Sequence, residues 1–291
     1  MSGLKIIVLA KQVPDTRNVG KDAMKADGTV NRAALAAVFN PEDLQALEQA
    51  LAIKDKHPGT TITMLTMGPS RAAEILREGL YRGADDGILL TDRAFAGSDT
   101  LATSYALATA IQKISSFDLI ICGRQAIDGD TAQVGPQVAE KLGLPQITYT
   151  EEILSVNKKK VRVRRRLERG IEIVECPMPL VVTIHGSAAP CRPRNAKLLM
   201  KYKHGTTPSE RQEKDEDYIA MLNEKPYLNI KEWNVNDVKC DPEQLGLSGS
   251  PTKVKKIENI IFQVKESKQL ANTDKDINEL MQELIVNRIL G

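Results

Sequence analysis

The sequence predicts an α/β protein with a doubly wound, mostly parallel sheet, a small antiparallel excursion and an extended C-terminal tail. Short apolar runs alternate with amphipathic helical segments through the first half of the chain, which is typical of βαβ units. After residue 144 the alternation gives way to short strands joined by Asn- and Gly-containing turns. The length of 291 residues suffices for a substantial core.

The first half supplies the predicted parallel strands and their connecting helices. Asn40 is predicted to cap the first helix, with Pro41 at the first helical position and Glu42 and Asp43 in the first turn. Leucines at helical spacing continue this helix as one apolar stripe. The predicted strands cover residues 5–10, 61–67, 87–90 and 119–122, and the next helices cover 70–81, 100–113 and 131–142.

The second half predicts the antiparallel excursion and a less globular tail. Short strands are predicted at 153–156, 161–167, 171–176 and 180–184, with a helix at 195–201. We expect an α/β domain over residues 1–201, an exposed, charged linker over 202–232 and a C-terminal arm over 233–291. The arm ends in a predicted helix near 274–290. Its isolated apolar positions favour contact with a partner over a separate core.

The segment 119–136 is the strongest candidate for a binding site. An apolar run ends in Gly123, passes through a polar loop and opens a predicted helix at Asp130–Thr131. Such a turn points backbone N–H groups and the positive helix end at an anion. We expect the N–H groups of Thr131–Val134 and the Thr131 hydroxyl to hold a phosphate, with Gly129 allowing close approach. The alternative is that Asp130 only caps the helix and the glycines only make a turn.

Carboxylates in this loop are difficult to reconcile with a phosphate. Asp128 and Asp130 would repel it if they pointed toward it, so one is expected to cap the helix and the other to bind a ribose hydroxyl. Two further segments, Asn40–Asp43 and Thr66–Pro69, lie at predicted carboxyl ends of strands. Ligands bind at this edge of open α/β sheets, although Asn40–Asp43 is equally consistent with a simple helix cap.

The sequence contains none of the usual signatures of catalysis or metal binding. Neither Gly-x-x-x-x-Gly-Lys-Ser/Thr nor Gly-x-Gly-x-x-Gly occurs, so a P-loop kinase and a standard dinucleotide fold are not supported. The four cysteines form no Cys-x-x-Cys pair, and no Ser–His–Asp or Cys–His pairing is evident. We therefore predict no metal site and no catalytic side chain. If the protein takes part in redox chemistry, a cofactor must perform it.

A basic run at 158–166 is the one feature suggesting nucleic acid. Its valines fall near strand alternation, which places Arg162, Arg164 and Arg166 on one solvated face, and no aromatic residues are interleaved to stack bases. A solvated strand or a partner contact is favoured over an RNA-associated module. The net charge of +2, the lack of a secretion signal and the lack of a membrane-length apolar run predict a cytoplasmic protein without membrane insertion.

Seven short motifs, taken together, resemble the beta subunit of electron transfer flavoproteins. They occur in the family's order across nearly the whole chain. They are KQVPDT at 11–16, NPED at 40–43, TMGP at 66–69, GADD at 83–86, SDTLATS at 98–104, CGRQAIDGDTAQVGP at 122–136 and GSPT at 249–252. The resemblance implies a Rossmann-like sheet domain of the adenine-nucleotide-binding type. It also implies pairing with an alpha subunit that carries the electron-shuttling FAD.

The resemblance further implies a nucleotide site in this chain, holding AMP in simple members and a second FAD in electron-bifurcating members. The loop DGDTAQVGP resembles the bifurcating, anaerobic type, which favours FAD over AMP here. Glu42 stands where many members have an aromatic residue, and Arg169 where a small or acidic residue is usual. The implied contacts are Ala10, Asn40, Pro41, Glu42, Asp43, Met67, Gly123, Arg124, Gln125, Ala126, Ile127, Asp128, Gly129, Asp130, Thr131, Ala132, Gln133 and Val134.

Electron partners are implied by the same resemblance. NAD would serve as electron donor or acceptor, ferredoxin as an acceptor, and a flavin-dependent dehydrogenase of the lactate or acyl-CoA type as the other partner. The charged stretch after Tyr202, longer than in many relatives, is consistent with a particular dehydrogenase.

Overall fold

A computed structural model describes residues 3–15, 36–211, 217–252 and 269–290. Within these ranges the strands are β1 (Lys5–Leu9), β2 (Gln12–Pro14), β3 (Ala37–Phe39), β4 (Thr61–Met67), β5 (Asp86–Leu90), β6 (Leu119–Gly123), β7 (Gln146–Val156), β8 (Lys160–Leu167), β9 (Gly170–Pro177), β10 (Leu180–Ile184) and β11 (Lys231–Trp233). The helices are α1 (Pro41–Lys56), α2 (Ala73–Arg82), α3 (Thr100–Ile114), α4 (Val134–Leu142), α5 (Ala196–Tyr202), α6 (Pro208–Arg211), α7 (Asp217–Glu224), α8 (Val235–Val238) and α9 (Asp274–Val286).

The large sheet is the predicted doubly wound one. Its order is β11-β5-β4-β1-β6-β10-β7-β8-β9, and the strands from β11 to β7 are parallel. β8 and β9 add the antiparallel excursion, while β2 and β3 form a separate antiparallel pair. The mostly parallel α/β prediction is therefore confirmed.

Alternating side chains of the buried strands pack on two faces of the sheet. Ile6 and Val8 of β1 join a core that includes α1 and α2, whereas Ile7 and Leu9 join a second core that includes α3 and α4. Because β1 pairs with β4 on one side and β6 on the other, the strand order reverses there. Such a reversal opens a crevice at the carboxyl ends of the strands, where ligands bind in open α/β sheets.

Several element boundaries differ from prediction by a few residues, and two of the differences have clear local reasons. Helix α4 begins at Val134 instead of Thr131, because Asp130 and Ala132 have positive φ values of 50° and 53°, which a right-handed helix does not allow. Strand β7 begins at Gln146 rather than near 153. Its first half pairs with β10 and its second half with β8, so one strand serves both the parallel and the antiparallel part.

The region predicted as an exposed linker is partly packed in the structure. Tyr202 and Thr207 are 6% and 0% exposed, and Arg77 of α2 pairs with Glu210 at 3.0 Å. Glu210 of this stretch thus forms an ion pair with α2, whereas the high density of charged residues had predicted that the whole stretch is exposed to solvent. Residues 212–216 of this stretch lie outside the described ranges.

The first part of the predicted C-terminal arm, residues 233–252, belongs to the α/β unit. Strand β11 pairs with β5, and Val238 and Leu245 belong to the second core. The chain forms two compact units, Met1–Lys255 and Lys256–Gly291, so no unit boundary falls at 201 or 232. In the second unit, α9 exposes an apolar stripe of Ile277, Met281 and Ile285. Residues 253–268 of the predicted arm are not among those described. None of the described helices is both long and apolar enough for a membrane span.

Gly135 sets how closely α4 can approach the sheet. A Cβ atom there would lie 2.8 Å from Thr183 Cγ2 and 2.9 Å from Cys122 Sγ. We predict that Gly135→Ala lowers the free energy of unfolding by about 1–3 kcal/mol through overpacking. Thr183→Ser removes the nearer contact, so the double variant should recover part of this loss in a denaturant double-mutant cycle. Strictly additive losses would contradict the contact.

Candidate functional site

A cavity of about 360 Å³ opens at the carboxyl ends of β1, β4 and β6. Its apolar part is formed by Leu9, Leu65, Phe95 and Leu107, and its polar part by the loop after β6. Thirteen of the predicted site residues line it: Ala10, Asp43, Met67, Gly123, Arg124, Gln125, Ala126, Gly129, Asp130, Thr131, Ala132, Gln133 and Val134. Asn40, Pro41, Glu42, Ile127 and Asp128 do not line it.

Asn40 holds the loop from behind instead of capping α1. Its side chain makes no capping hydrogen bond, contrary to prediction. Its Nδ2 donates to the Gln125 carbonyl at 2.9 Å, and its Oδ1 accepts from the Ile127 N–H at 3.2 Å. Asn40 is 0% exposed, so both bonds come from a side chain that is fully enclosed by the fold. Its amide can form both bonds because it is at once a donor and an acceptor.

Two carboxylates in the first turn of α1 continue this attachment. Glu42 accepts from the Gln125 N–H and from Arg124 Nη2, both at 3.0 Å. Asp43 accepts from the Lys11 N–H at 2.8 Å and the Gly123 N–H at 2.9 Å, and so ties the ends of β1 and β6 together. We define Asn40, Glu42 and Asp43 as the α1 clasp.

The α1 clasp requires glycine at position 123. A Cβ atom on Gly123 would lie 2.5 Å from Asp43 Oδ1 and 2.8 Å from the Glu42 carbonyl carbon. The second of these atoms is backbone, which cannot rotate away. Gly123 therefore permits the helix start to approach the strand end closely enough for both carboxylates to reach the loop.

Asp43 has a strongly altered pKa. Burial raises its pKa to about 7, against the opposing effect of the hydrogen bonds from Lys11, Gly123 and Asn40. The neutral acid is thus favoured in the folded chain at pH values where an exposed aspartate is ionised.

Neither loop carboxylate caps α4. Asp128 pairs with Lys11 Nζ at 2.7 Å, and Asp130 accepts from Gln125 Nε2 at 2.7 Å. The N-cap position is Gln133, whose side chain makes no capping bond. Both acidic groups are thus bound by neighbouring side chains, which reduces the repulsion that they would exert on an anion.

The start of α4 presents a row of unpaired backbone donors to the cavity. Among the described residues, no acceptor receives the N–H groups of Thr131, Ala132, Gln133, Val134 or Gly135. All five residues line the cavity. Positive φ at Asp130 and Ala132 interrupts regular structure just before the helix, a geometry typical of anion-binding concavities. The helix dipole adds positive potential there.

Gly129 lines the cavity, and its predicted role in the close approach of a ligand stays a prediction. Its φ is not in the left-handed region, and a Cβ atom built on it would meet nothing within 4 Å. No contact within the protein requires glycine here. The unusual backbone falls at Asp130 and Ala132 instead, which the glycine pattern did not indicate.

The wall opposite the loop was not predicted from sequence. Residues 97–100 and Thr103, at the start of α3, line the cavity together with the apolar residues named above. Asp99 caps α3 by accepting from the N–H groups of Leu101 and Ala102 at 2.9 and 3.1 Å. It also accepts from the Thr252 hydroxyl at 2.6 Å. The sequence did contain a sign of this wall, because Ser98, Asp99 and Thr100 are typical of a capped helix start and follow β5.

The hydrogen bonds at Asp99 attach the segment around Thr252 to this wall. Burial opposes ionisation of Asp99, but the bonds from Thr252, Ala102 and Leu101 outweigh it and lower the pKa of the carboxyl. Asp99 is therefore a charged acceptor for the two backbone groups of α3 and for Thr252, which fixes the rim of the cavity on that side.

The site contains no activated nucleophile among the described residues. Burial, with a smaller contribution from Asp43, raises the pKa of the Cys122 thiol far above its usual value, so it stays protonated. No three described His, Cys, Asp or Glu side chains come together in a way that could hold a metal ion. The arrangement is suited to binding a molecule with an apolar part and an anionic part.

The basic run at 158–166 is largely paired. Lys158 contacts Asp118, Lys160 contacts Glu175, and Arg164, Arg165 and Arg166 contact Glu152, Glu172 and Glu151, at distances between 2.5 and 3.9 Å. These contacts agree with a strand whose charges are balanced by its neighbours.

Comparison with known proteins supports a family assignment. The sequence model of the Electron transfer flavoprotein domain matches residues 27–207. The electron transfer flavoprotein subunit beta of Megasphaera elsdenii is 41% identical over 300 residues, covering 99% of this chain and 100% of that protein. The caffeyl-CoA reductase-Etf complex subunit CarD of Acetobacterium woodii is 43% identical, covering 86% of each chain. Protein FixA of Azotobacter vinelandii is 38% identical, covering 95% of this chain and 91% of its own.

Removal of the Asn40 side chain should release the loop. We predict that Asn40→Ala raises the rate of trypsin cleavage after Arg124 by roughly tenfold, the equivalent of about 1.4 kcal/mol of local opening. The matched control is Asn195→Ala, since Asn195 also bonds two backbone groups, the N–H groups of Lys197 and Leu198. That control should leave cleavage at Arg124 unchanged. Equal effects of the two variants at Arg124 would contradict the attachment.

The pKa of Asp43 predicts a pH dependence of stability. The folded chain keeps the Asp43 proton up to about pH 7, whereas the unfolded chain loses it near 3.8, so the contribution of Asp43 to stability falls as pH rises between these values. Relative to the non-titrating Asp43→Asn, the wild-type free energy of unfolding should fall by about 1.4 kcal/mol per pH unit within this window. Urea unfolding at several pH values measures it. Parallel curves for the two proteins would show that Asp43 does not titrate there.

Proposed function

The chain belongs to the electron transfer flavoprotein family, among its beta subunits, and on that premise we propose that its cavity holds the adenylate end of FAD. In the proposed complex, electrons pass from NADH toward ferredoxin and a partner dehydrogenase, as in flavin-based electron bifurcation. FAD would supply the redox chemistry, because the described side chains offer no catalytic group of their own.

The row of five unpaired N–H groups at 131–135 carries this proposal. Backbone donors at a helix start bind phosphate through both hydrogen bonds and the helix dipole. The Thr131 hydroxyl, at the same rim, adds a further donor. The α1 clasp holds the preceding loop, so these donors do not have to be ordered when the phosphate arrives.

The apolar slot beside the donors suits a purine ring. Leu9, Leu65, Phe95 and Leu107 provide contact surface, and Ala10 and Met67 lie where β1 and β4 end. The volume of about 360 Å³ is at the lower end of the range for small-molecule pockets. It therefore fits an adenylate group better than a complete dinucleotide, whose remaining half would extend past the rim. Asp130, which lines the cavity and accepts from Gln125, is the acidic group proposed to bind a ribose hydroxyl.

AMP is the alternative ligand, since it presents the same adenylate group. The loop sequence DGDTAQVGP, which resembles the bifurcating type, favours FAD over AMP. Two relatives are named for CoA-ester reductases: the caffeyl-CoA reductase-Etf complex subunit of Acetobacterium woodii and the acryloyl-CoA reductase electron transfer subunit gamma of Anaerotignum propionicum, which is 43% identical over 254 residues.

The proposed partners are an alpha subunit, ferredoxin and a flavin-dependent dehydrogenase of the lactate or acyl-CoA type. Helix α9 is the proposed contact with the alpha subunit. Its exposed stripe of Ile277, Met281 and Ile285 has the spacing of a helix that packs in a groove. We propose a cytoplasmic location, consistent with four free cysteines in the described residues.

Cofactor analysis of the purified heterodimer tests the choice between FAD and AMP. Co-expression with the alpha subunit, followed by acid extraction and mass spectrometry, should release two FAD molecules per heterodimer. One FAD and one AMP would replace the FAD assignment by the structural AMP. Bleaching of the flavin absorbance by NADH should accompany the two-FAD result.

A charge at position 132 tests the phosphate assignment. Asp and Asn both tolerate the positive φ of Ala132, so the pair Ala132→Asp and Ala132→Asn differs mainly in charge. We predict that Ala132→Asp weakens AMP binding to the nucleotide-stripped heterodimer by about tenfold or more, through repulsion of the phosphate, while Ala132→Asn has a small effect. Isothermal titration measures both constants. Equal affinities for the two variants would place the phosphate elsewhere.

A further inference from the structure

A second feature at the carboxyl edge of the sheet is the backbone of Tyr149. It has a φ of 59°, a left-handed conformation that bulky residues rarely adopt. The pairing of β7 with β10 shifts register at this point, between Val182 and Ile184. Such bulges redirect side chains and occur often beside binding sites. Tyr149 remains 38% exposed although Thr150 next to it is 0% exposed.

His185 lies against the ring of Tyr149. The ring centroids are 5.9 Å apart, with an angle of 31° between the planes. Ser187 holds the imidazole, because its N–H donates to His185 Nδ1 at 3.1 Å and its hydroxyl oxygen lies 2.9 Å from the same nitrogen. Ser187 is held in turn, because its hydroxyl donates to Glu151 at 2.5 Å. These contacts keep the imidazole beside the Tyr149 ring.

Arg124 completes the group. Its guanidinium carbon lies 5.7 Å from the Tyr149 ring centroid, and Glu42 of the α1 clasp holds its Nη2. Among the described residues, Arg124 Nε is buried and has no hydrogen-bond acceptor. We define Tyr149, His185 and Arg124 as the aromatic platform. It combines a partly exposed ring face with a guanidinium cation and an imidazole.

We propose that the aromatic platform contacts the isoalloxazine ring of a flavin, an inference that rests on the proposed function. A planar heterocycle stacks on an aromatic face, and its electron-rich edge, which gains negative charge on reduction, suits a guanidinium and an imidazole N–H. The partly exposed Tyr149 ring offers the aromatic face, and the Arg124 guanidinium and the His185 imidazole beside it offer the polar contacts. The ring could belong to FAD in this chain's cavity, whose lining includes Arg124, or to FAD of the alpha subunit.

Flavin fluorescence in the heterodimer tests the platform. A tyrosine in contact with an isoalloxazine quenches its fluorescence by electron transfer, and phenylalanine does so poorly. We expect Tyr149→Ala to raise the fluorescence of bound flavin several-fold and to alter its visible circular dichroism. Tyr149→Phe should raise the fluorescence but keep the dichroism. The matched control is Tyr227→Ala, which removes another exposed tyrosine and should change neither signal.

Two versions of this experiment, called its two arms, distinguish which FAD molecule supplies the isoalloxazine ring. One arm uses the heterodimer with FAD in this chain, and the other uses the heterodimer stripped and refilled here with AMP. An effect confined to the first arm assigns the ring to this chain's FAD, and an effect in both assigns it to the alpha subunit. If this chain holds only AMP, the FAD proposal fails while the second arm still tests the platform.

Unchanged fluorescence and dichroism in every available arm, or equal changes in Tyr227→Ala, would overturn the inference. If Tyr149→Ala does not assemble, Tyr149→Phe decides alone, because it keeps the ring and removes the electron donor. Unchanged fluorescence in that variant would then overturn it.

Discussion

The α1 clasp is the constraint on which the rest of this site depends. Where strands β1 and β6 end, the N–H groups of Lys11 and Gly123 need new acceptors, and that of Gly123 is buried. Asp43 accepts from both strand ends, and Asn40 and Glu42 extend the same attachment to residues 124–127. An unpaired buried donor costs about 1–3 kcal/mol, so these bonds avoid a penalty as much as they add stability. A helix start thereby fixes a loop some 80 residues away in sequence.

Fixing this loop has consequences for binding. The α1 clasp uses the N–H groups of 123, 125 and 127, whereas those of 131–135, in residues that line the cavity, have no acceptor within the described part of the chain. The N–H groups of 123, 125 and 127 attach the loop to α1, and those of 131–135 are the proposed ligand donors. Because Lys11 and Gln125 engage Asp128 and Asp130, a phosphate meets donors more than acids. The same clasp reaches the aromatic platform through the pairing of Glu42 with Arg124.

Much of the fold could be predicted because buried parallel strands are continuous apolar runs, as at 61–67 and 180–184, where prediction and structure agree. Contacts between residues that are distant in sequence could not be predicted in this way. Asn-Pro-Glu-Asp fits a helix cap, and nothing local shows that Asn40 bonds residues 125 and 127. The delayed start of α4 follows from positive φ at Asp130 and Ala132, neither a glycine. Tyr202 and Thr207 are buried within a stretch whose composition indicated solvent.

Amide hydrogen exchange in the heterodimer, with and without its nucleotide, distinguishes a preformed site from one that forms on binding. We predict that the amides of 123, 125 and 127 exchange slowly in both states, because the α1 clasp protects them without ligand. The amides of 131–135 should exchange fast in the stripped protein and slow markedly when nucleotide is bound. Fast exchange of the first set without nucleotide, or no change in the second set on binding, would contradict a preformed site that holds phosphate at the start of α4.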